Sequence, residues 1–360
     1  MKILIIRGYG KEQNIENYNS QEIGLAKALV DLGHTVDIAM FSQKKNLKKY
    51  ITYKGNKIHI IGLNGITFLG QGFYKGLNKL YDNYEFVWSN ELNQFASYKL
   101  FKSGKKGLAY HGPYIQNTLD FKSIKELFFL LVYWRKKFLS NQIYVKSDLA
   151  KKTLNKFGYK NVISIGVGLD VENYSKYKII RERNEINNFL YIGEFSKRRN
   201  TIFLLRVFNK IALTNSQVRL VLIGKGNKKY MKKINSFIRE NNLEQNVTIK
   251  SSVQNKKLEA FFDSADLFVL PTKYEIFGMV MLEAMYNGVP VITTINGGSV
   301  TAIRDCENGY IMDSLNIEEW VERIKHISRD ELRNASNETR STVSEEFTWE
   351  HILKKVDSLI

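Results

Sequence analysis

The sequence contains 360 residues, of which 44% are hydrophobic and 25% are charged; these values indicate a globular protein of two domains rather than a disordered chain. Its single cysteine excludes a disulfide framework and favours a reducing compartment. The net charge of +18 is uneven, because residues 1–167 carry 26 Lys and Arg against 11 Asp and Glu, so the first half is expected to face an acidic partner.

The first half shows the alternation of strands and helices that is typical of a Rossmann-like domain. After an apolar strand at residues 2–6, Ser20 is expected to cap a helix that ends at Gly33. Further strands are predicted at residues 36–40, 86–89, 107–111 and 143–147. His111 closes one of them, at the strand end where parallel sheets bind ligands. It is therefore a candidate for binding or orienting reacting groups, with a structural role as the alternative.

Residues 124–139 form an apolar segment with a basic end. One interpretation is a core helix of the first domain. The alternative is a helix lodged in a membrane surface through Phe128, Tyr133 and Trp134, with residues 135–137 meeting anionic head groups. The apolar runs at residues 3–6 and 127–134 are too short for a secretory signal or a membrane span, so we expect a cytoplasmic protein.

The second half begins after a glycine-containing linker at residues 162–170. A strand at residues 189–193 and a helix at residues 201–212 enclose a basic turn. The cations of this turn are Lys197, Arg198 and Arg199. Cations at a strand-to-helix turn indicate a diphosphate clamp, and a solvated basic turn is the alternative.

Residues 266–298 form a strand-loop-helix-strand unit. The strand at residues 267–270 ends at Pro271, and a helix is predicted from Gly278 to Asn287. Ligands of open parallel sheets bind where strands end and helices begin. The backbone N–H groups expected to favour an anion here belong to Phe277, Gly278, Met279 and Val280. The turn at residues 297–299 is expected to be a second anion-binding helix start.

Two carboxylates flank this predicted helix start. Glu283 lies five residues beyond Gly278, about 7–8 Å along a helix axis, and Glu275 lies in the loop before it. The two carboxylates could thus contact groups on either side of a bound diphosphate, as a nucleotide-sugar requires. A loop glutamate and a solvated helix glutamate are the alternative.

The stretch closely resembles the signature of family 4 glycosyltransferases, which are retaining sugar transferases of the GT-B fold. The residues that carry the resemblance, besides Glu275, are Pro271, Phe277-Gly278, Glu283-Ala284-Met285, Gly288-Val289-Pro290-Val291 and Gly297-Gly298. The resemblance implies that Glu275 lies at the reacting sugar and that Glu283 holds the ribose hydroxyls. It also implies that Gly224 lies near the nucleotide and Val253 near the base.

The same resemblance extends to the basic turn and to the first domain. It implies that Arg199, with Arg198 or Lys197, contacts the donor phosphates, although Glu194 stands where the family has an arginine. It places His111 close to the donor sugar. The implied α/β fold is GT-B, with two Rossmann-like parallel-sheet domains facing a cleft. The predicted division is residues 1–167, residues 168–345 and a helix at residues 346–360 that returns to the first domain.

The expected function is a retaining, metal-independent transfer of a hexose-type sugar from a nucleotide-sugar, more readily UDP- than GDP-linked. No strict Asp-x-Asp pair occurs, so neither a metal nor another cofactor is expected. The expected acceptor is a glycan or a lipid-diphosphate-linked glycan of surface polysaccharide or capsule synthesis. The basic first half predicts peripheral attachment to the anionic inner face of the membrane.

Two other functions compete with this prediction. A nucleotide-sugar epimerase or a phosphorylase on the same fold would turn over the sugar without a glycan acceptor, or with inorganic phosphate. A nucleic-acid-binding protein would explain the charge, but no nucleic-acid motif occurs and the cations are not interleaved with aromatic residues as a single-strand groove requires. We therefore expect no nucleic-acid partner.

Overall fold

The computed structural model describes residues 1–12, 20–43, 48–116, 124–125, 127–130, 142–174, 184–251 and 253–356. The chain divides into two units, which are Met1–Asp170 with Trp349–Ile360 (unit 1) and Val171–Thr348 (unit 2). The predicted boundaries, after residues 167 and 345, each lie three residues before those of the structure.

Unit 1 is built on an eight-stranded sheet. Its strands, with those of a small hairpin, are β1 (Lys2–Arg7), β2 (Thr35–Phe41), β3 (Lys48–Tyr53), β4 (Asn56–Leu63), β5 (Gly65–Phe68), β6 (Gln71–Tyr74), β7 (Phe86–Asn90), β8 (Gly107–His111), β9 (Ile143–Val145) and β10 (Val162–Ser164). The sheet order is β10-β9-β8-β7-β1-β2-β4-β3, and β5 pairs only with β6. All neighbours in the large sheet are parallel except β3 and β4.

The central strands of unit 1 are buried on both faces, which explains why they are apolar runs rather than alternating patterns. Residues 3–6 of β1 are fully buried. The sequence analysis missed β3 to β6. Strand β3 lies at the edge of the large sheet, β4 lies next to it with exposed and buried residues mixed, and β5 and β6 lie outside that sheet. The sequence analysis also placed residues 162–164 in the linker, whereas they form the edge strand β10.

Helices cover the sheet of unit 1. In chain order they are α1 (Gln21–Asp31), α2 (Leu77–Asp82), α3 (Phe95–Ser103) and α4 (Asp148–Lys156). Of the segment at residues 124–139, the described part is helical, with Phe129 and Leu130 buried but Ile124 and Phe128 exposed. Tyr133, Trp134 and residues 135–137, which carry the membrane hypothesis, lie outside the described residues. Across the ranges that the structure describes, no helix combines the length and apolar character needed to cross a bilayer.

Unit 2 is built on a six-stranded parallel sheet in the order β13-β12-β11-β14-β15-β16. Its strands are β11 (Asn188–Ile192), β12 (Arg219–Ile223), β13 (Val247–Lys250), β14 (Leu267–Leu270), β15 (Val291–Thr294) and β16 (Gly309–Met312). Its helices are α5 (Thr201–Ala212), α6 (Lys228–Glu240), α7 (Asn255–Ser264), α8 (Met279–Tyr286), α9 (Ser299–Ala302), α10 (Ile317–Lys325) and α11 (Arg329–Glu346). The strand order reverses between β11 and β14, which makes that point the expected ligand crevice.

The last helix, α12 (Trp349–Lys354), belongs to unit 1, as the sequence analysis predicted. Its Trp349 ring packs where only glycine leaves room. A Cβ at Gly24 would lie 2.5 Å from the indole Nε1, and one at Gly168 would overlap the ring. The Tyr110 ring meets the indole edge-on, at 6.4 Å between centroids. Burial of this large side chain therefore holds the end of the chain on unit 1.

Candidate functional site

The basic turn after β11 lies at the switch point of the unit 2 sheet, where it is bonded to the loop that follows β14. Lys273 N donates a hydrogen bond to the Arg198 carbonyl oxygen at 2.8 Å. In return, Arg198 Nη1 donates to the Tyr274 carbonyl oxygen at 2.7 Å. These two bonds hold the segments on either side of the switch point together.

Glu275 forms ion pairs with both arginines of that turn. Its Oε2 lies 2.5 Å from Arg199 Nη1 and 3.4 Å from Arg198 Nη1. The side chains of Glu275 and Arg199 are each 14% exposed, whereas that of Arg198 is 41% exposed. The sequence analysis assigned Glu275 to the sugar and the arginines to the phosphates, and the structure brings these groups together. Glu194 stands where the sequence analysis expected an arginine, and its Oε2 lies 3.8 Å from Arg198 Nη2.

Two further donors of the turn are buried without an acceptor in the part of the chain that the structure describes. They are Arg199 Nε and Asn200 Nδ2. Asn200 has a φ of 52°, in the left-handed region that favours glycine and asparagine. A buried donor without an acceptor is costly, so such donors are characteristic of a site that a ligand or water completes. Together with the arginines, they make this turn suited to an anion.

The start of α8 lies beside Glu275. Gly278, the residue before the helix, has a φ of 82°, and a Cβ there would lie 3.2 Å from Glu275 Cγ. The first hydrogen bond of the helix runs from Met281 N to the Gly278 carbonyl oxygen, so the N–H groups of Met279 and Val280 precede it. Phe277 is buried and packs against Phe347 at 6.1 Å between ring centroids. Its side chain therefore anchors the loop that carries Glu275.

The glycine pair at residues 297–298 is required by the passage of that loop. Gly297 N donates to the Glu275 carbonyl oxygen at 3.1 Å, and a Cβ at Gly298 would overlap the Phe277 carbonyl oxygen. The prediction of a second anion-binding helix start here was wrong. Asn296 Oδ1 already accepts from Gly298 N and Ser299 N, at 3.0 and 3.1 Å, and α9 is only one turn long.

The remaining predicted donor residues lie in α8 or after strands of the same sheet. Glu283 is buried within α8. Gly224 follows β12, next to β11, and a Cβ there would overlap the Gly193 carbonyl oxygen. Val253, which is half-buried, follows β13, two strands from β11. Because Gly224 has no Cβ, its backbone can pack against Gly193, the residue before the basic turn begins.

In unit 1 His111 is the last residue of β8 and is buried. Its Nδ1 lies 3.3 Å from Oε2 of Glu91, a residue that the sequence analysis missed. Lys146 Nζ donates to Glu91 Oε1 at 2.6 Å, and Gly112 N donates to Oε2 at 2.8 Å. Burial alone would raise the pKa of Glu91, but Lys146 and His111 outweigh it and lower the pKa to about 2. Glu91 is therefore an anion at neutral pH.

A second buried carboxylate, Glu22, joins the two strands at the switch point of the unit 1 sheet, β1 and β7. Asn90 Nδ2 donates to its Oε1 at 2.9 Å, and Arg7 Nη1 lies 3.5 Å from the same oxygen. Ser20 Oγ donates to Oε2 at 2.6 Å, so its hydroxyl does not cap α1 as predicted. Burial alone would raise the pKa of the Glu22 carboxyl. The charge of Arg7 and the hydrogen bond from Ser20 outweigh burial, so the pKa lies below its usual value.

The missed residues of unit 1 share one sequence signal. Asn90 ends β7 and Glu91 follows it, while Lys146 directly follows β9. Polar residues at the carboxyl ends of buried parallel strands converge on one edge of the sheet. In unit 1 the sequence analysis applied this rule only to His111.

Comparison with models of known protein families gives a match in the second half of the chain. Residues 175–346 match the family model described as glycosyl transferases group 1. The matched residues lie in unit 2. The match includes Arg198, Arg199, Glu275 and Glu283, and it does not extend into the first 174 residues.

Curated relatives align with parts of the chain only. An uncharacterized glycosyltransferase of Methanocaldococcus jannaschii is 28% identical over 58% of this chain and 54% of its own length. The poly(ribitol-phosphate) alpha-N-acetylglucosaminyltransferase of Staphylococcus aureus is 27% identical over 56% of this chain and 40% of its own. The chain thus spans about half the length, or less, of these relatives.

Solved structures match the chain from end to end. Sucrose-phosphate synthase from Thermosynechococcus elongatus superposes with a TM-score of 0.78 at 20% identity, over 99% of this chain and 98% of that one. Anabaena HepE in complex with UDP and glucose superposes with a TM-score of 0.73 at 18% identity, over the same shares. The predicted α/β, GT-B fold is confirmed.

Proposed function

We propose that the protein is a retaining, metal-independent glycosyltransferase. It transfers a hexose-type sugar from a UDP-linked donor to a glycan or lipid-diphosphate-linked acceptor of surface polysaccharide synthesis. The observation that carries this proposal is the cluster of Arg198, Arg199 and Glu275 at the switch point of unit 2. Relatives named as glycosyltransferases, and the UDP bound to Anabaena HepE, support the reaction class and the donor.

The chemistry assigned to this cluster is stabilisation of the leaving nucleoside diphosphate. Negative charge grows on the diphosphate as the bond to the sugar breaks, and cations placed in advance lower the barrier for that step. Arg199 holds a fixed guanidinium, and the N–H groups of Met279 and Val280 supply a helix N-terminus. The proposed reaction uses no metal ion and no other cofactor.

Glu275 has two roles in the proposed reaction. Before the donor binds, it neutralises Arg199 and holds the guanidinium in place. When the diphosphate takes over that cation, the Glu275 carboxylate becomes available to the hydroxyls of the donor sugar. Glu283 is proposed to accept hydrogen bonds from the ribose hydroxyls, and His111 to bind or orient the reacting groups.

The acceptor and the location follow from the charge of the first half of the chain. Its excess of cations is matched to an anionic inner membrane face and to a lipid-diphosphate acceptor. The name of the Staphylococcus aureus relative, a transferase for poly(ribitol-phosphate), supports an acceptor of surface polymer chemistry. We therefore propose a cytoplasmic enzyme at the periphery of the inner membrane face.

A donor screen tests this function. Thermal shift is measured with UDP-, GDP-, ADP- and dTDP-sugars, and the UDP-sugars are expected to stabilise the protein most. Product analysis with the best donor then distinguishes transfer from epimerisation, which needs no acceptor, and from phosphorolysis, which needs phosphate. A protein that no nucleotide-sugar stabilises would contradict the proposal.

The ribose role of Glu283 can be tested with one substitution and a matched control. Glu283→Ala should weaken UDP binding by about 1.5–3 kcal/mol, or more than about tenfold, because hydrogen bonds to a charged acceptor are lost. Glu244→Ala, at an exposed position of unit 2, is the control. Calorimetric titration that gives equal affinities for both variants would remove Glu283 from the site.

A further inference from the structure

The hairpin of β5 and β6 displays an apolar surface that nothing in the described chain covers. Ile66 is 74% exposed, Phe68 62% and Leu69 42%. Ile66 and Phe68 are two residues apart in one strand, so they share a face. Isolated apolar residues are ordinary on a protein surface, but a contiguous group at the tip of a hairpin marks an interaction surface.

The opposite side of this hairpin is fastened to the loop that follows β1. Gly10 N donates to the Gly70 carbonyl oxygen at 3.1 Å, and a Cβ at Gly10 would lie 2.8 Å from Thr67 Cβ. Tyr74, in the second strand of the hairpin, donates its hydroxyl to the Tyr9 carbonyl oxygen at 2.9 Å. The hairpin therefore rests on the carboxyl edge of the unit 1 sheet and turns Ile66 and Phe68 outward.

A second attachment joins the hairpin to the loop that follows β7. Gln71 is buried, and its Nε2 donates to the Asn93 carbonyl oxygen at 2.8 Å. Phe95 N donates to Gln71 Oε1 at 3.1 Å. Since β1 and β7 are the strands at the switch point of this sheet, the apolar tip is held at a set position beside Asn90 and Glu91.

The chain on either side of the hairpin is strongly basic, and Lys49 of β3 pairs with Ile60 near the end of β4 from which the hairpin starts. No Asp or Glu occurs between Asp37 and Asp82. The lysines of this interval are Lys44, Lys45, Lys48, Lys49, Lys54, Lys57, Lys75 and Lys79. The helical segment next to the hairpin adds Lys125, whose Nζ lies 3.7 Å from the position of a Cβ at Gly70, together with the exposed Ile124 and Phe128.

We propose that the hairpin of β5 and β6 is the element that docks unit 1 on an anionic lipid bilayer. Ile66, Phe68 and Leu69 enter the boundary between head groups and acyl chains, and the lysines contact the anionic head groups. Docking at the tip brings the carboxyl edge of the unit 1 sheet to the lipid surface. This inference rests on the proposed function in one respect, since it accounts for access to a lipid-linked acceptor.

The charge decides between a bilayer and a second copy of the chain. A symmetric dimer would place the same lysine-rich surface against itself, and like charges there would repel. Anionic head groups reverse the sign of that interaction, and each Lys or Arg near such a surface strengthens attachment several-fold. The apolar tip and the basic surroundings then act on the same partner.

The test is co-sedimentation of the full-length protein with vesicles. Phosphatidylcholine vesicles that contain phosphatidylglycerol are expected to carry the protein down, and vesicles of phosphatidylcholine alone are not. Ile66→Ser with Phe68→Ser should lower the partition coefficient by at least about tenfold, because two large apolar side chains no longer enter the bilayer. Leu213→Ser is the matched control, since Leu213 is 78% exposed but lies in unit 2, and it should sediment like the parent protein.

A second variant reports insertion directly. The indole of Phe68→Trp should shift its fluorescence to shorter wavelength with anionic vesicles, whereas that of Leu213→Trp should not. Unchanged sedimentation of the double serine variant would overturn the proposal, as would equal binding to neutral vesicles. Concentration-dependent dimers in sedimentation velocity that the double variant abolishes would instead make this face an interface between copies.

The donor readout separates this inference from the proposed function. Thermal stabilisation by UDP-sugar should be the same in the double serine variant and the parent, because the substituted residues lie in unit 1 and the arginine cluster lies in unit 2. Vesicle binding without any response to nucleotide-sugars would contradict the proposed function and leave the docking element standing.

Discussion

The two units place a carboxylate against cations at the same kind of sheet edge, but with opposite degrees of enclosure. In unit 1 the side chains of Glu91 and Lys146 are 2% and 7% exposed, and Glu91 accepts bonds from both Lys146 and Gly112. In unit 2 those of Glu275 and Arg199 are each 14% exposed, and Arg198 is 41% exposed. The first pair is closed, whereas the second retains donors that a ligand can use. A closed ion pair supports the fold, and an open one can exchange its carboxylate for a substrate anion.

Breaking the closed pair should have the largest effect on stability. Glu91→Gln is expected to lower the free energy of unfolding by about 3–5 kcal/mol, because Lys146 is left buried without a counter-charge. Adding Lys146→Met removes that unpaired charge and should recover part of the loss. Urea denaturation of the parent, of the two single variants Glu91→Gln and Lys146→Met and of the double variant gives the coupling energy. A double variant as unstable as the sum of the single ones would mean that the two residues act independently.

The same pair predicts how stability depends on pH. The pKa of Glu91 is lowered from 4.5 to about 2, so the folded state binds its proton more weakly than the unfolded chain does. Its contribution is then complete above about pH 4.5 and lost as the pH falls toward 2. When the pH is lowered from 6 to 2, the melting temperature should fall less in the Glu91→Gln, Lys146→Met variant than in the parent protein. If the melting temperatures of the two proteins fall in parallel, other carboxylates cause the loss of stability in acid.

In the open pair, the more buried arginine should contribute more to the binding of nucleoside diphosphate. Arg199→Ala is expected to cost about 1.5–3 kcal/mol in binding of nucleoside diphosphate, because an enclosed charged donor is lost. Arg198→Ala should cost about 1 kcal/mol or less, since exposed charges are screened by solvent. Neither change should affect the free nucleoside, which has no phosphate. Calorimetry that finds equal losses for nucleoside and nucleoside diphosphate would assign Arg199 another role.

Removal of metal ions should have the smallest effect, which is none. If cations and a helix N-terminus alone stabilise the diphosphate, transfer activity should be the same before and after EDTA. Restoring Mg²⁺ to the treated protein should not increase the rate. Strong inhibition by EDTA that Mg²⁺ reverses would reject the metal-independent mechanism.

Local sequence was sufficient where a segment is buried on both faces or is periodic over several turns. The predicted bounds of β14 and α5 agree with the structure, because β14 is an apolar run that ends at Pro271 and α5 carries a periodic apolar stripe. Strands β3 to β6 could not be recognised in the same way. Strand β4 mixes exposed and buried residues, β5 is exposed throughout, and β6 pairs only in the small hairpin, so no sustained apolar run marks them.

The sequence by itself determined that unit 2 has a loop glutamate, a helix glutamate and a basic turn of the right kinds for an anionic donor. Only the tertiary structure decided which of these touch. Arg198 and Glu275 are 77 residues apart, and Lys146 and Glu91 are 55 apart. Such pairs are set by strand order in a parallel sheet, which brings the ends of distant strands to one edge. Residue spacing along the chain carries no record of that order, so the closed pair of unit 1 was missed entirely.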